Sequence, residues 1–152
     1  MVRGKNSTTG VGLVEVYDLS SKSDSRVVNI STRGFVEAGD NVMIGGLVIG
    51  AAGSQSIDLV VRAIGPSLAP AGVPDVLPDP TLSLYDGNGA AFASNDDWRE
   101  TQEAELEASG LAPTSDVESA ILVSQPAGNM TAIVRGKDGA VGNALVEVYR
   151  LR

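Results

Sequence analysis

The chain has 152 residues, 43% of them hydrophobic but only 4% aromatic, and a net charge of −8; that length suits one ordinary domain with an aliphatic core. Histidine and cysteine are both absent, which removes the commonest general base, the Ser-His-Asp triad, thiolate chemistry, sulfur-built zinc sites and disulfides. The acidic balance opposes nucleic acid and anionic membranes as partners, and no run of about 18 apolar residues offers a membrane span.

Residues 2–19 read VRGKNSTTGVGLVEVYDL, and residues 134–151 read VRGKDGAVGNALVEVYRL. The two stretches align without a gap at an offset of 132 residues, with 11 of 18 positions identical, so they are copies of one element. Each reads as a β-hairpin, with a Gly- and Asn- or Asp-containing turn followed by a Leu-Val-Glu-Val-Tyr strand. Period-2 alternation puts Val14 and Val16 on one side and Leu13, Glu15 and Tyr17 on the other. Val146 and Val148 oppose Leu145, Glu147 and Tyr149 in the same way. The simplest organisation is residues 1–20 as the terminal hairpin of a preceding repeat, or a donor hairpin for a neighbouring subunit, and residues 21–152 as one complete unit. Met1-Val2-Arg3-Gly4 opens no hydrophobic signal region, so an export signal is expected outside this stretch.

Further strands are predicted at residues 26–36, 42–49, 56–64, 81–86, 90–94, 117–124 and 130–135. The 18 glycines and 7 prolines are spread along the chain and punctuate it, as turns in a sandwich or barrel of short strands require. Residues 42–49 are apolar on both faces, which predicts a central strand, with Gly45-Gly46 marking a bulge or tight turn. Ile57, Leu59, Val61 and Ala63 alternate with Asp58 and Arg62 as in a half-buried strand. The proline-rich residues 65–80 predict an ordered loop crossing between sheets. One helix is predicted at residues 98–109, with Asp97 as N-cap, Glu100 completing a capping box, Gly110 as C-terminal stop, and Ala104, Ala108 and Leu111 facing the sheet. The fold class is therefore all-β: a two-sheet antiparallel β-sandwich with one short helix.

Two loops gather hard oxygen donors, Asp86-Gly87-Asn88-Gly89 and Asn95-Asp96-Asp97. Asp86, Asn95, Asp96 and Asp97 are candidate calcium ligands, although Asp-Gly-Asn-Gly equally suits a hairpin turn and Asp97 a helix cap. Gly136-Lys137-Asp138-Gly139 lacks the spacing of a phosphate loop and reads as a turn. Ser67 has no histidine to activate it as a nucleophile. Trp98, Tyr85, Tyr17 and Tyr149 suit either a sugar-stacking platform or the rim of the core. Glu103, Glu105 and Glu107 read as a solvated helix face.

The run Thr81-Leu82-Ser83-Leu84-Tyr85-Asp86-Gly87-Asn88-Gly89, then Ala93-Ser94-Asn95-Asp96-Asp97, then Gln125-Pro126-Ala127-Gly128 leading into Thr131-Ala132-Ile133-Val134, resembles the bacterial pre-peptidase C-terminal domain over residues 80–151. That likeness implies a jelly-roll-like sandwich carried by secreted proteins, with calcium or extracellular polymers as ligands of some members. An aromatic that usually follows the Gly of the last motif is replaced here by Asn129-Met130. The phrases Asn29-Ile30-Ser31-Thr32-Arg33-Gly34, Val61-Arg62-Ala63-Ile64-Gly65-Pro66-Ser67-Leu68 and Ala132-Ile133-Val134-Arg135-Gly136 are similar to repeat units of very large exported bacterial proteins. The expected function is that of a non-catalytic structural module of an extracellular stalk, fibre or adhesin. It would self-assemble head to tail by strand addition, with Leu13, Val14, Val16 and Tyr17 as the assembly residues and neighbouring copies as partners. The competing expectation is a calcium-dependent module that binds polysaccharide or matrix protein at the cell surface.

Overall fold

Short alternating strands gain stability only when a ladder and an apolar face are both covered, and this chain covers them by rolling up on itself. The computed structural model describes residues 2, 4–8, 10–17, 29–50 and 56–151. Among the described residues eight strands are present: β1 Asn29–Val36, β2 Met43–Ile49, β3 Ile57–Ile64, β4 Pro80–Asp86, β5 Ala91–Asn95, β6 Ser119–Gln125, β7 Gly128–Gly136 and β8 Gly142–Arg150. They form two four-stranded sheets, β1-β8-β3-β6 and β2-β7-β4-β5, and every pairing is antiparallel. The strand pairs β1/β8, β2/β7, β3/β6 and β4/β5 alternate between the two sheets, which is a jelly roll. The expected sandwich is therefore the observed one.

The core follows from the alternation. Leu59, Val61 and Ala63 of β3 and Ala144 and Val146 of β8 face Leu82 and Leu84 of β4 and Met130, Ala132 and Val134 of β7 across the two sheets. The opposite face of the first sheet is also covered. Helix α1, Glu103–Ser109, lays Leu106 beside Trp98 on Val60 and Ala120, so β3 is buried on both faces and not half-buried. Residues 65–80 do cross between sheets, from β3 to β4, and bury their own Leu68 and Leu77.

Four local expectations need correction. β2 is an edge strand. Its inward Met43 and Ile49 are buried while outward Ile44 and Val48 meet solvent, so an apolar run on both faces did not mean a central place. Its register against β7 is unbroken; at Gly45 a Cβ would lie 3.2 Å from Val146 Cγ1 of the opposite sheet, a tight approach that the Val146 side chain would have to yield to.

The C-terminal copy of the repeat is no hairpin, because β7 and β8 lie in different sheets. The turn Lys137–Gly139 between them is a corner joining the sheets. A hairpin turn and such an arch look alike locally, since both need a tight bend with a left-handed residue, here Asp138 at φ 53°.

The predicted helix is split into a 3-10 turn Trp98–Glu100 and α1, which starts only at Glu103. Asp97 makes no side-chain cap bond. The break falls at Gln102, whose side chain turns away to bond both backbone groups of Leu122 at 2.9 Å. Leu106 is the buried residue of α1, whereas Ala104 and Ala108 are exposed. Gly110, at φ 71°, does stop the helix.

Candidate functional site

The duplicated element is the most unusual feature of the chain, and its two copies share local geometry while differing in surroundings. In the C-terminal copy β7 pairs with β2 and β4, and β8 with β1 and β3. In the N-terminal copy the corner recurs. Lys5–Ser7 is a 3-10 turn with Asn6 at φ 55°, and Thr8 N–H donates to Lys5 O as Ala140 N–H does to Lys137 O. A Cβ at Gly4 would sit 1.8 Å from Thr8 O, and one at Gly136 2.0 Å from Ala140 O, so both corners demand glycine.

Beyond the corner the N-terminal copy has no strand among residues 10–17, against the hairpin expected there. The reason is geometric. The two arms of an arch pair with other strands and never with each other, and this chain's β1 and β3 are already laddered to β8. Leu13 is 82% exposed and Val16 80%, so the four assembly residues Leu13, Val14, Val16 and Tyr17 present bare apolar surface.

One side-chain bond of the strand survives. Tyr17 Oη–H donates to Glu15 Oε1 at 3.0 Å, as Tyr149 Oη–H does to Glu147 Oε1 at 2.9 Å. In β8 this pair is completed from β3. Arg62 Nε donates to Glu147 Oε2 at 3.0 Å and Nη2 to Tyr149 Oη at 3.2 Å, with Nη1 on Leu111 O at 2.8 Å. Burial, reinforced by the bond to Glu147, holds the Tyr149 hydroxyl above its ordinary pKa.

A second cluster lies where the corner meets the ends of β4 and β5. Carboxylate oxygens of Asp79, Asp96 and Asp97 come within 4.8 Å of one another, and Oδ1 of each is buried without a hydrogen-bond partner. Lys137 Nζ stands beside them, 2.7 Å from Asp96 Oδ2 and 3.7 Å from Asp79 Oδ2. Desolvation first, then the charges of Asp96 and Asp97, raise the Asp79 pKa against the pull of Lys137; the Asp96 carboxylate, by hydrogen bonding, raises that of Lys137.

Of the sequence-derived calcium ligands, Asp96 and Asp97 belong to this cluster and the other two do not. Asp86 sits at the turn end of the β4–β5 hairpin, where Oδ1 accepts N–H groups of Asn88 and Ala90 at 2.9 Å. Those bonds lower its pKa. Asn95 pairs with Leu82 at the other end of that hairpin, four residues from Asp86, roughly 13 Å along the strand. Its side chain is engaged with Ala120 N and Asp97 O at 2.9 Å. Asp79 was missed because it lies inside a proline-rich loop; its immediate precedence to β4 was the available signal.

Other candidates resolve into structure. Trp98 is buried, with Nε1 donating to Ser115 O at 3.1 Å. Ser67 bonds the fully buried Glu118, whose Oε1 also accepts the N–H groups of Gly65 and Ser67 at 2.9 Å. Among the described residues no helix is long and apolar enough to cross a membrane.

No family model matches the chain, and no curated protein does. Among solved structures it is similar to the pre-peptidase C-terminal domain of collagenase from Bacillus anthracis, at 10% identity and a TM-score of 0.49, covering 80% of this chain and 89% of that one.

Proposed function

We propose that this chain is a non-catalytic structural module of an extracellular bacterial stalk, fibre or adhesin, joined to neighbouring copies through its duplicated N-terminal element. One observation carries the reading. Residues 10–17 repeat a strand that lies central in its sheet, keep that strand's Tyr–Glu contact, and expose its apolar side chains, while residues 29–150 contain all eight strands of the sandwich. A segment of strand-like sequence whose apolar side chains stay exposed is suited to β-strand addition. The buried acids point the same way, because Glu118 and Glu147 are each tied into hydrogen bonds within the sandwich. Sedimentation velocity of the whole chain and of one lacking residues 1–20 tests the proposal. Concentration-dependent oligomers that vanish with the deletion support it; assembly unchanged by the deletion refutes it.

The second reading, a calcium-dependent module for polysaccharide or matrix protein, is favoured by the three orphaned carboxylate oxygens of Asp79, Asp96 and Asp97. Such oxygens are the donors calcium takes, and Lys137 offsets part of their charge. Calorimetry with calcium chloride, before and after chelation, tests it. Heat that Asp96→Asn abolishes supports binding at this corner, and no heat with no change in melting temperature refutes it.

A further inference from the structure

If residues 10–17 add to a neighbour's sheet, the described residues offer four edges: β1 and β6 in one sheet, β2 and β5 in the other. They are not equivalent. The β6 edge is closed by side chains that imitate a strand, since Gln102 takes both the N–H and the C=O of Leu122 and Asn95 Oδ1 takes the Ala120 N–H.

The donor itself states what it lacks. Glu15 and Tyr17 form two-thirds of the arrangement that Arg62 completes around Glu147 and Tyr149. The accepting strand must therefore supply an arginine on the outer face, next to an open ladder. β2 reads MIGGLVI, β5 AFASN and β6 SAILVSQ; none carries one. β1 reads NISTRGFV. Its Arg33 lies opposite Leu145, on the outward face that Glu147 shares, and joins none of the ion pairs among the described residues.

The register carries over as well. Arg62 is paired with Glu147, Ile64 with Leu145 and Ala63 with Val146 in the β3–β8 ladder. Setting Arg33 against Glu15 in the same antiparallel sense sets Phe35 against Leu13, Gly34 against Val14 and Thr32 against Val16. Phe35 is 52% exposed, so the pairing covers two bare apolar side chains on the outer face. Val14 and Val16 fall on the inner side, beside the exposed Ile30 and Thr32.

We infer that residues 10–17 of one molecule extend the first sheet of a second molecule along the free edge of β1, antiparallel, with Glu15 facing Arg33 and reproducing the Glu147–Arg62 contact. The inference rests on the head-to-tail proposal above and adds the acceptor edge and register. A strand directly opposite lies about 4.5–5.5 Å away between Cα atoms, within the span of a disulfide, and the chain has no cysteine of its own.

Glu15→Cys chains are therefore mixed with Arg33→Cys chains and oxidised, with Val48→Cys on the β2 edge as the alternative acceptor, and linked peptides are identified by mass spectrometry. A 15–33 link at least about tenfold more abundant than 15–48 is expected. A predominant 15–48 link overturns the acceptor and leaves the donor reading standing, whereas no link together with assembly indifferent to deletion of residues 1–20 overturns both. A 15–33 link closing within one doubly substituted chain, with no dimer from the mixture, overturns the second molecule as occupant. Charge reversal gives an independent check: Glu15→Arg or Arg33→Glu each weakens association about tenfold, and the two together restore it. Failure of the double reversal to restore association overturns the Glu15–Arg33 contact.

Discussion

Removing the Glu118 carboxylate is the most informative test of how the sandwich is held together. Glu118 is fully buried. Its Oε1 accepts the backbone N–H groups of Gly65 and Ser67, both at 2.9 Å, and Oε2 the Ser67 hydroxyl at 2.7 Å. It thereby clips the loop that carries the chain from one sheet to the other. Glu118→Ala leaves the Gly65 and Ser67 N–H groups, at about 1–3 kcal/mol each, and the more weakly held Ser115 N–H at 3.4 Å without their acceptor, so a loss of about 4 kcal/mol is expected. Against a total stability of about 5–15 kcal/mol, that lowers the melting temperature by roughly 8–16 °C. Glu118→Gln keeps one oxygen as acceptor and is expected to lose about half as much. Urea unfolding followed by circular dichroism measures both. A Glu118→Ala protein within about 1 kcal/mol of the unsubstituted chain, at equal m-value, would refute the clip.

Leu106, fully buried between α1 and the first sheet, should cost about 2–5 kcal/mol when changed to Ala, read by the same unfolding curves; a cost below 1 kcal/mol would mean that the helix does not cover that face. Asp86 has a lowered pKa because the Ala90 and Asn88 N–H groups favour its charged form. Its contribution is present above the ordinary Asp value of about 3.9 and is lost as pH falls through the depressed folded value, so Asp86→Asn should flatten the acid limb of a stability–pH profile. Asp79 runs the other way: its raised pKa means that its contribution is full below about 3.9 and is lost as pH rises through the folded value. Relative to Asp79→Asn, the unsubstituted chain should therefore lose stability with rising pH, and a difference independent of pH would contradict this.

The strands were legible in the sequence because alternation and turn residues report locally on a half-buried ladder. Ala144, Val146 and Val148 pack on the core and Glu147 and Tyr149 face outward, as their spacing required. What local sequence does not encode is which sheet a strand joins. The Lys137–Gly139 bend reads the same whether its arms pair or diverge, and the apolar faces of β2 do not say that one of them meets solvent. Long-range side-chain substitutes for backbone partners were equally hidden. Gln102 sits 20 residues from Leu122, and Glu118 lies 53 from Gly65. Two of the three acids of the corner, Asp96 and Asp97, stand together in sequence, while Asp79 reaches them only through the fold.

Hydrogen exchange at residues 10–17, followed over a range of protein concentration, bears most directly on the duplicated element as a strand given to a neighbour. These amides should exchange freely in dilute solution and become protected, toward the level of β8, as concentration rises and oligomers form. Amides that stay unprotected in the assembled protein, or that are already protected in the monomer, would contradict it.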